Sequence, residues 1–558
     1  MLRIAPIAAV GVLIGPILAG LFATVLPAFG YFPALGGTSL SFEPFAMLMA
    51  EPGIWRSAAL SLLTGLAATL ISLGVVALFL AGWSGTSAFR RIQHLVSPLL
   101  AVPHAAAAFG LAFLIAPSGW LMRLVAPLFD VTRPPDWLVV GDPLGIAMTL
   151  GLVVKEVPFL LLIALASLPQ TDGARRSAVA TSLGYGRIAG FAIGTWPALY
   201  RQMRLAVFAV LAYATSVVDV AAILGPSVPP TLAVRLVGWM NDPDLARRFV
   251  ACAGALMQLG ITLVALASWV VLERLGRLWL AARAPSGRRG ERERIGRSLG
   301  ATLIILSATA VFAGLAIVTL WSFAGFWRFP DAWPDALTLA NWMRALPGFS
   351  APLWTTIAVG GLATLAAVAL AAACLERESR TGRSGGNRAL ALVYLPLIVP
   401  QVAFVFGLQL FTLWAGWKPS VWTLAAVHFV FVLPYVFLSL SDPWRAWNPD
   451  YARVAAGLGR GANAVFWRLR LPMLLRPLLA AAAVGFAVSV GQYLPTVLIG
   501  QGRLTTVTTE AVALASGGNR RTIGVYAVLQ MALPFVGFLL ATLAPAWFFR
   551  RRREMKPA

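Results

Sequence analysis

The sequence predicts an all-α integral membrane protein with about twelve transmembrane helices, arranged as two parallel repeats of six. Of its 558 residues, 59% are hydrophobic and only 12% are charged, whereas soluble domains carry about 25% charged residues. Apolar runs of about 20 residues, long enough to cross a bilayer, recur along the whole chain. In addition, one spacing of Ala, Gly and Pro occurs twice, which indicates an internal duplication.

The apolar runs form two sets of six. They lie at about residues 6–28, 57–82, 94–116, 143–167, 204–225 and 249–272, and at about 299–322, 352–375, 391–415, 420–440, 477–499 and 525–549. These sets predict a first repeat over residues 1–272, a solvated basic linker over 273–298 and a second repeat over 299–558. Six is an even number, so both repeats have the same predicted orientation. We expect the first run to be an uncleaved helix, because it is long and the rest of the chain is membrane-embedded.

The distribution of arginine predicts which side of the membrane each loop faces. The net charge is +23, and Arg is concentrated in loops 83–93, 168–203 and 273–298 and in the C-terminal tail. These loops lie on one side if every run crosses the membrane once, and positively charged loops stay in the cytoplasm. Both termini are therefore expected to be cytoplasmic. The same bias explains the positive charge, so membrane lipid is an expected partner and nucleic acid is not.

The sequence has few of the residues that form metal centres or enzyme active sites. The two cysteines, Cys252 and Cys374, lie in apolar runs, which argues against a structural disulfide or a metal site. The three histidines are not clustered. No Gly-x-x-x-x-Gly-Lys sequence occurs, so the chain has no phosphate-binding loop of its own. We therefore predict no catalytic residue, no metal and no cofactor in this chain.

The clearest sign of duplication is the Ala, Gly and Pro pattern in two predicted cytoplasmic loops. Gly follows Ala by four residues and Pro follows Gly by thirteen, and the two copies are 275 residues apart. The residues are Ala180, Gly184 and Pro197 in the first copy and Ala455, Gly459 and Pro472 in the second. The pattern predicts a short helix that begins at the Ala, a turn at the Gly, an Arg-rich helical piece, and a Pro that opens the next membrane helix.

Prolines inside the membrane runs support the duplication. Pro103 in the third run matches Pro400 in the ninth, and Pro158 in the fourth matches Pro434 in the tenth. Proline removes a backbone hydrogen bond and kinks a helix. We therefore expect the third, fifth, ninth and eleventh runs to line a pathway with pseudo-twofold symmetry. The alternative is that Pro and Gly are simply common in membrane helices.

Polar side chains inside the membrane runs are costly to bury, so they are candidates for function. The candidates for the translocation pathway are His104, Lys155, Glu156, Asp219, Gln401 and Gln492. The alternative is a structural role, such as pairing of Lys155 with Asp219, and for His104 alone a packing role is favoured. The sequence does not decide between these interpretations.

Residues 180–197 and 455–472 resemble the cytoplasmic coupling loop of permeases in binding-protein-dependent ATP-binding-cassette (ABC) importers. In that family the loop reads Glu-Ala-Ala, three residues, Gly, and then about a dozen residues to Leu-Pro. Ala178 and Arg453 stand where the family has Glu, so a salt bridge through that carboxylate is in doubt. The resemblance covers nearly the whole chain. It is to the fused form with two permease domains in one polypeptide, as in thiamine, ferric iron and some oxyanion or polyamine importers.

The resemblance implies a permease subunit of the bacterial inner membrane that forms the path for a small solute. It implies two cytoplasmic ATPase subunits that bind ATP and each receive one loop, and a periplasmic solute-binding protein that delivers the cargo. The transported solute cannot be read from the sequence. An alternative reading is an ion-coupled secondary transporter with six plus six helices, in which Lys155, Glu156 and Asp219 would relay ions. A membrane scaffold or channel is a third class.

Overall fold

The computed structural model describes residues 2–283, 285, 289–290, 293–383 and 385–548. Within these residues the regular structure is helical, apart from two isolated β-bridges. The helices of the first half are α1 (Ala5–Ala28), α2 (Glu43–Ala50), α3 (Ile54–Trp83), α4 (Ser87–Val96), α5 (His104–Ile115), α6 (Trp120–Val125), α7 (Ile146–Ser167), α8 (Gly173–Ser182), α9 (Arg187–Gly190), α10 (Trp196–Ser216), α11 (Asp219–Leu224), α12 (Leu232–Met240) and α13 (Arg247–Arg283).

The second half follows the same order. Its helices are α14 (Glu293–Phe323), α15 (Ala340–Thr381), α16 (Gly386–Ile398), α17 (Gln401–Trp414), α18 (Val421–Arg445), α19 (Asp450–Gly457), α20 (Ala462–Val465), α21 (Leu471–Met473), α22 (Leu475–Val490), α23 (Leu494–Gly500), α24 (Val507–Ala513) and α25 (Arg520–Phe548). The described part of the predicted linker is largely helical, because α13 runs to Arg283 and α14 begins at Glu293. Residues 284, 286–288 and 291–292 of the linker and the tail from residue 549 lie outside the described residues.

The all-helical membrane fold with about twelve helices is confirmed. Among the described residues, nine helices are long and apolar enough to cross a membrane, or eleven if each of two sharply bent pairs is one span. The first bent pair coincides with the ninth predicted run and turns by 81°. The second turns by 71° just before the eleventh run, and that run is itself divided between α22 and α23. The fifth predicted run, 204–225, is divided between α10 and α11. Its first helix, α10, carries Arg201 and Arg204 and lies outside the spans counted above.

The four runs expected to line a pathway are all interrupted, and the interruptions match between the halves. The third run breaks at Val102, with ψ of 122°, before Pro103. The ninth run breaks in the same way at Val399, with ψ of 124°, before Pro400. The residue before a proline is forced out of the helical region, which explains both breaks. In contrast, Pro158 and Pro434 lie inside α7 and α18, which are single helices.

The first helix of each half packs against the other half through paired glycines. Gly20 of α1 crosses Gly407 of α17, so closely that a methyl group on either would collide with a carbonyl oxygen of the opposite helix. The equivalent Gly314 of α14 crosses Gly110 of α5, and a Cβ on either would lie 2.8–2.9 Å from the other's carbonyl carbon. Small residues permit such close helix approach in membranes. The two repeats are therefore interlocked.

Candidate functional site

In the first duplicated loop, the repeated Ala and Gly form the end of α8. Gly184 has φ of +77°, a left-handed conformation that costs glycine little. The N–H of Tyr185 donates to the carbonyl oxygen of Ala180 at 3.0 Å, and the N–H of Gly184 donates to that of Thr181 at 2.9 Å. These are the two hydrogen bonds of a Schellman motif, which satisfies carbonyl groups at a helix end. The four-residue spacing of the repeated pattern therefore separates the Ala whose carbonyl oxygen accepts a hydrogen bond from the Gly in the left-handed conformation.

The second duplicated loop repeats this geometry at the end of α19. Gly459 has φ of +73°. The N–H of Arg460 donates to the carbonyl oxygen of Ala455 at 2.9 Å, and the N–H of Gly459 donates to that of Ala456 at 2.9 Å. The predicted turn at the glycine thus has the same hydrogen bonds in both loops.

The prediction that the short helices begin at the repeated alanines is wrong. Ala455 lies near the end of α19, which begins at Asp450. The start is set by the side chain of Asn448, whose Oδ1 accepts from the N–H of Asp450 at 2.9 Å, and by Pro449, whose φ of −66° suits a helix. Ala180 likewise lies in the last turns of α8, which begins at Gly173.

The two repeated prolines have different surroundings. Pro197 lies in the first turn of α10 and opens it, as predicted. Pro472 lies in the three-residue helix α21, and α22 begins only at Leu475 after a bend of 71°. The prediction that Pro472 opens the membrane helix is therefore wrong, because the chain turns at Leu474 first.

Each loop also contains a five-residue π-helix that the sequence gave no reason to expect. These are Phe191–Thr195 and Phe466–Arg470, again 275 residues apart. A π-helix wraps more residues into each turn and is frequently found at functional sites. No pattern of hydrophobic residues distinguishes it from an α-helix, so it could not have been read from the sequence.

Both loops present a matched pair of exposed apolar side chains beside the glycine. Val179 and Leu183 are 54% and 55% exposed in the first loop, and Val454 and Leu458 are 65% and 75% exposed in the second. Each Val is one residue before, and each Leu three residues after, the repeated Ala. Residues four apart lie on one face of a helix, so each pair forms a small apolar surface.

The first loop is held by residues from the connection between the halves. The Glu293 carboxylate accepts from the backbone N–H groups of Arg187 and Ile188, both at 2.8 Å, at the start of α9. The carbonyl oxygen of Arg289 accepts from the N–H of Gly186 at 2.8 Å. A carboxylate at a helix start satisfies free N–H groups and opposes the positive end of the helix.

The second loop is held by α15 of its own half. Arg380 donates to the side chain of Asn463 at 3.0 Å and to the carbonyl oxygen of Ala462 at 3.2 Å. Glu376 is buried and accepts from both Arg380, at 2.6 Å, and Arg470, at 2.5 Å. Arg453, at the position where the related loops have Glu, forms an exposed ion pair with Asp450 at 2.6 Å.

Three of the candidate pathway residues of the first half lie together near Tyr213. His104 Nε2 is 3.4 Å from Glu156 Oε1, and the hydroxyl of Tyr213 donates to Asp219 Oδ1 at 3.4 Å. The rings of His104 and Tyr213 are 4.7 Å apart. Glu156 and Asp219 are both buried. This group of side chains is called the acidic cluster below.

The suggested pairing of Lys155 with Asp219 is replaced by other contacts. Lys155 is buried, and its Nζ donates to the carbonyl oxygen of Leu99 at 2.8 Å. That carbonyl lies just before the break in the third run, where the backbone leaves the helical conformation. Lys155 therefore binds the broken backbone, while Asp219 accepts from Tyr213.

The second half places neutral side chains at the matching positions. Gln401, the counterpart of His104, donates through Nε2 to Oε1 of Gln492, the counterpart of Asp219, at 3.4 Å. The halves meet here, since Val218, next to Asp219, and Val402, next to Gln401, belong to one cluster of buried apolar residues. The six candidate residues thus divide into an ionisable set in the first half and a neutral set in the second.

A buried histidine in the second half was not among the candidates. His428 Nδ1 lies 2.7 Å from Ser489 Oγ, and its Nε2 lies 3.0 Å from Thr496 Oγ1. Thr496 in turn donates to the carbonyl oxygen of Gln492 at 2.8 Å. Both ring nitrogens are satisfied, so His428 supports the backbone at the break in the eleventh run. Among the described residues, no group of three or more His, Cys, Asp or Glu is placed to hold a metal ion.

Comparison with known proteins identifies the family. Residues 363–554 match the model of the binding-protein-dependent transport system inner membrane component. The chain is 32% identical over 543 residues to the inner membrane ABC transporter permease protein YnjC of Escherichia coli (strain K12), covering 96% of each protein.

Two shorter relatives match part of the chain. The spermidine/putrescine transport system permease protein PotC homolog of Mycoplasma genitalium is 24% identical over 210 residues, which are 37% of this chain and 72% of the relative. The molybdenum transport system permease protein ModB of Mycobacterium bovis is 34% identical over 114 residues, which are 18% of this chain and 43% of the relative.

These relatives are permease subunits, which are transport components and not enzymes, and they decide against the secondary transporter. The family implies ATPase and solute-binding protein partners in general, and a place in the inner membrane as a multi-pass protein. The duplicated loops and the near-complete match to YnjC agree with this assignment. The chain belongs to the permeases of binding-protein-dependent ABC importers, as a fused permease of two repeats.

Proposed function

We propose that the chain forms the translocation pathway for a small solute and is coupled to two separate ATPase subunits through its two duplicated loops. ATP would be bound by those subunits and not by this chain. A periplasmic solute-binding protein would release the solute at the opposite face, with both termini of the chain in the cytoplasm. The observation that carries the proposal is the matched pair of exposed apolar side chains in each loop.

The apolar pairs are suited to docking in a cleft of a partner. Full burial of a Val or Leu side chain stabilises an interface by about 1.5–3 kcal/mol. Each pair lies at the end of a short helix, with the Leu as its C-cap, just before the left-handed glycine. No atom lies within 4 Å of a Cβ added at Gly459, so the tip of this loop is open to a partner. The alternative for the glycines is a helix end that contacts nothing.

The candidate pathway is formed by the interrupted helices. Because the third, fifth, ninth and eleventh runs break at matching places, a movement of the loops can reorient short helical pieces as rigid bodies. The acidic cluster and the Gln401–Gln492 pair lie at these breaks. We assign His104, Lys155, Glu156, Asp219, Gln401 and Gln492 to the pathway or to its gate.

A purification experiment tests the proposed coupling. The chain is solubilised in detergent, purified with the products of its neighbouring genes, and weighed by native mass spectrometry. We expect two ATPase copies per chain. A complex without ATPase, or uptake in vesicles that needs no ATP, would overturn the proposal. A single ATPase copy would mean that only one loop docks.

A further inference from the structure

A cleft of about 690 Å³ lies between α1, α15, α16 and α18, at the end of the helices that carries the duplicated loops. Its inner walls are apolar and include Leu13, Val393 and Phe437. It opens sideways between α1 and α16, where Val10 and Leu390 are exposed. A pocket of this volume accommodates a small molecule or the polar end of a lipid.

The rim of the cleft nearest the loops carries an excess of positive charge. Arg377, Arg383 and Arg445 line it together with one carboxylate, Glu378. Arg445 forms a two-point ion pair with Glu378, at 2.8 and 3.2 Å. That carboxylate is therefore already neutralised, and Arg377 and Arg383 supply the excess charge.

The corresponding space in the first half is closed by small residues. A Cβ on Gly300 of α14 would lie 3.0 Å from the backbone of Leu78, and a Cβ on Gly82 of α3 would lie 3.1 Å from the side chain of Arg297. These two glycines let α14 lie directly on α3.

The second half has larger residues where the first half has these glycines. Pro6 of α1 lines the cleft. Arg377 of α15 places its guanidinium between the helices and donates to the backbone carbonyl oxygens of Leu2 and Arg3. The helices are held apart by these side chains, and the cleft lies between them.

We propose that this cleft binds an anionic phospholipid of the leaflet at the loop end, with the phosphate at the arginines and an acyl chain along the apolar walls. A guanidinium group has five N–H donors in a planar fork that matches phosphate oxygens. Basic pockets between membrane helices are known to bind lipid headgroups. The sideways opening favours a lipid, because a water-soluble anion would make no favourable contact with the apolar walls.

The test measures lipid retention by native mass spectrometry. The purified chain is titrated with phosphatidylglycerol and, separately, with phosphatidylcholine of the same acyl chains. We expect tighter binding of phosphatidylglycerol. The double variant R377Q/R383Q should weaken it by about 25-fold, taking about fivefold for each arginine.

Two further variants separate the cleft from general surface charge. The double variant R90Q/R91Q removes the same charge at the loop end of the first half and should leave phosphatidylglycerol binding unchanged. The A389F variant keeps every charge but fills the cleft, and should weaken binding. Equal binding of the two lipids, or an equal loss in R90Q/R91Q, would overturn the proposal, as would full binding by A389F.

Discussion

The two halves of this permease share backbone geometry more closely than they share side chains. The left-handed glycines, the π-helices and the breaks before Pro103 and Pro400 recur at matching positions. The polar residues around them do not recur. The first half has an acidic cluster where the second has two glutamines, and the support of the duplicated loops comes from different parts of the chain.

This comparison separates what a repeated function requires from what it does not. In the proposed mechanism both halves would move in the same way, and the recurring glycines and breaks before proline give both backbones the same conformations. Side chains along the proposed shared pathway need not recur, since one copy of a charge would serve both halves. The following predictions test this division, from the largest expected effect to the smallest.

The largest effect is expected from the apolar pairs of the duplicated loops. L183D and L458D should each lower ATP-dependent uptake in vesicles by about 10- to 100-fold, because burial of each exposed Leu in the proposed ATPase partner would contribute about 1.5–3 kcal/mol. R460A, an exposed change beside Gly459, is the matched control. Normal uptake by either Asp variant would show that its loop does not dock, and unequal losses would show that the loops differ in function.

The next largest effect is expected where the first helix of each half crosses a helix of the other half. G407A inserts a methyl group against a carbonyl oxygen of Gly20, and G110A inserts one near the carbonyl carbon of Gly314. Overpacking costs about 1–3 kcal/mol, so both should lower the apparent melting temperature in detergent, G407A more than G110A.

The control for these crossings is G74A. No atom lies within 4 Å of a Cβ added at Gly74 in α3, so this variant should melt at least as high as the wild type. If G407A had the same apparent melting temperature as G74A, the close packing of α1 against the second half would be contradicted.

The acidic cluster should show a smaller effect, on transport rather than folding. D219N keeps the size of the side chain and an acceptor for Tyr213 but removes the charge. We expect uptake to fall about fivefold, which corresponds to about 1 kcal/mol, with normal abundance in the membrane. Q492E, which adds a charge at the matching position of the second half, is the comparison. Loss of protein with normal uptake per molecule would assign Asp219 a structural role.

The smallest effect is expected at Glu293, whose carboxylate holds the first duplicated loop. E293Q weakens the charge-assisted hydrogen bonds to Arg187 and Ile188, and such bonds are about twice as strong as neutral ones. Uptake should fall by about twofold to fivefold. Glu376 of α15, which holds the second loop, is buried between two arginines, so E376Q should instead lower the melting temperature. If E293Q lowered the melting temperature as much as E376Q, the two supports would be alike.

The features that the sequence predicted correctly are those with a local cause. The breaks at Pro103 and Pro400 follow from proline chemistry, and the turns at Gly184 and Gly459 follow from the spacing of the duplicated pattern. The starts of the short helices were misplaced, because a capping side chain such as Asn448 decides the boundary and lies outside the pattern.

The features that the sequence did not predict depend on distant contacts. Gly20 is one of 51 glycines, and nothing near it in the chain indicates that it crosses Gly407. Glu293 lies in the basic linker, which its composition predicts to be solvated. Only the fold brings Glu293 into contact with Arg187. The π-helices have no hydrophobic signature. For Gly20 and Glu293 the cause is a partner far away in sequence, which a pattern along one chain does not reveal.

The crossing of the first helices also has a consequence for biosynthesis. Gly20 and its partner Gly407 are 387 residues apart in the sequence, and ribosomes add about 5–20 residues per second. The first helix therefore waits in the bilayer for about 20–80 s before the helix that covers it has been made. During that time its glycine face is open to lipid and to other membrane proteins, so the first half cannot finish assembly alone.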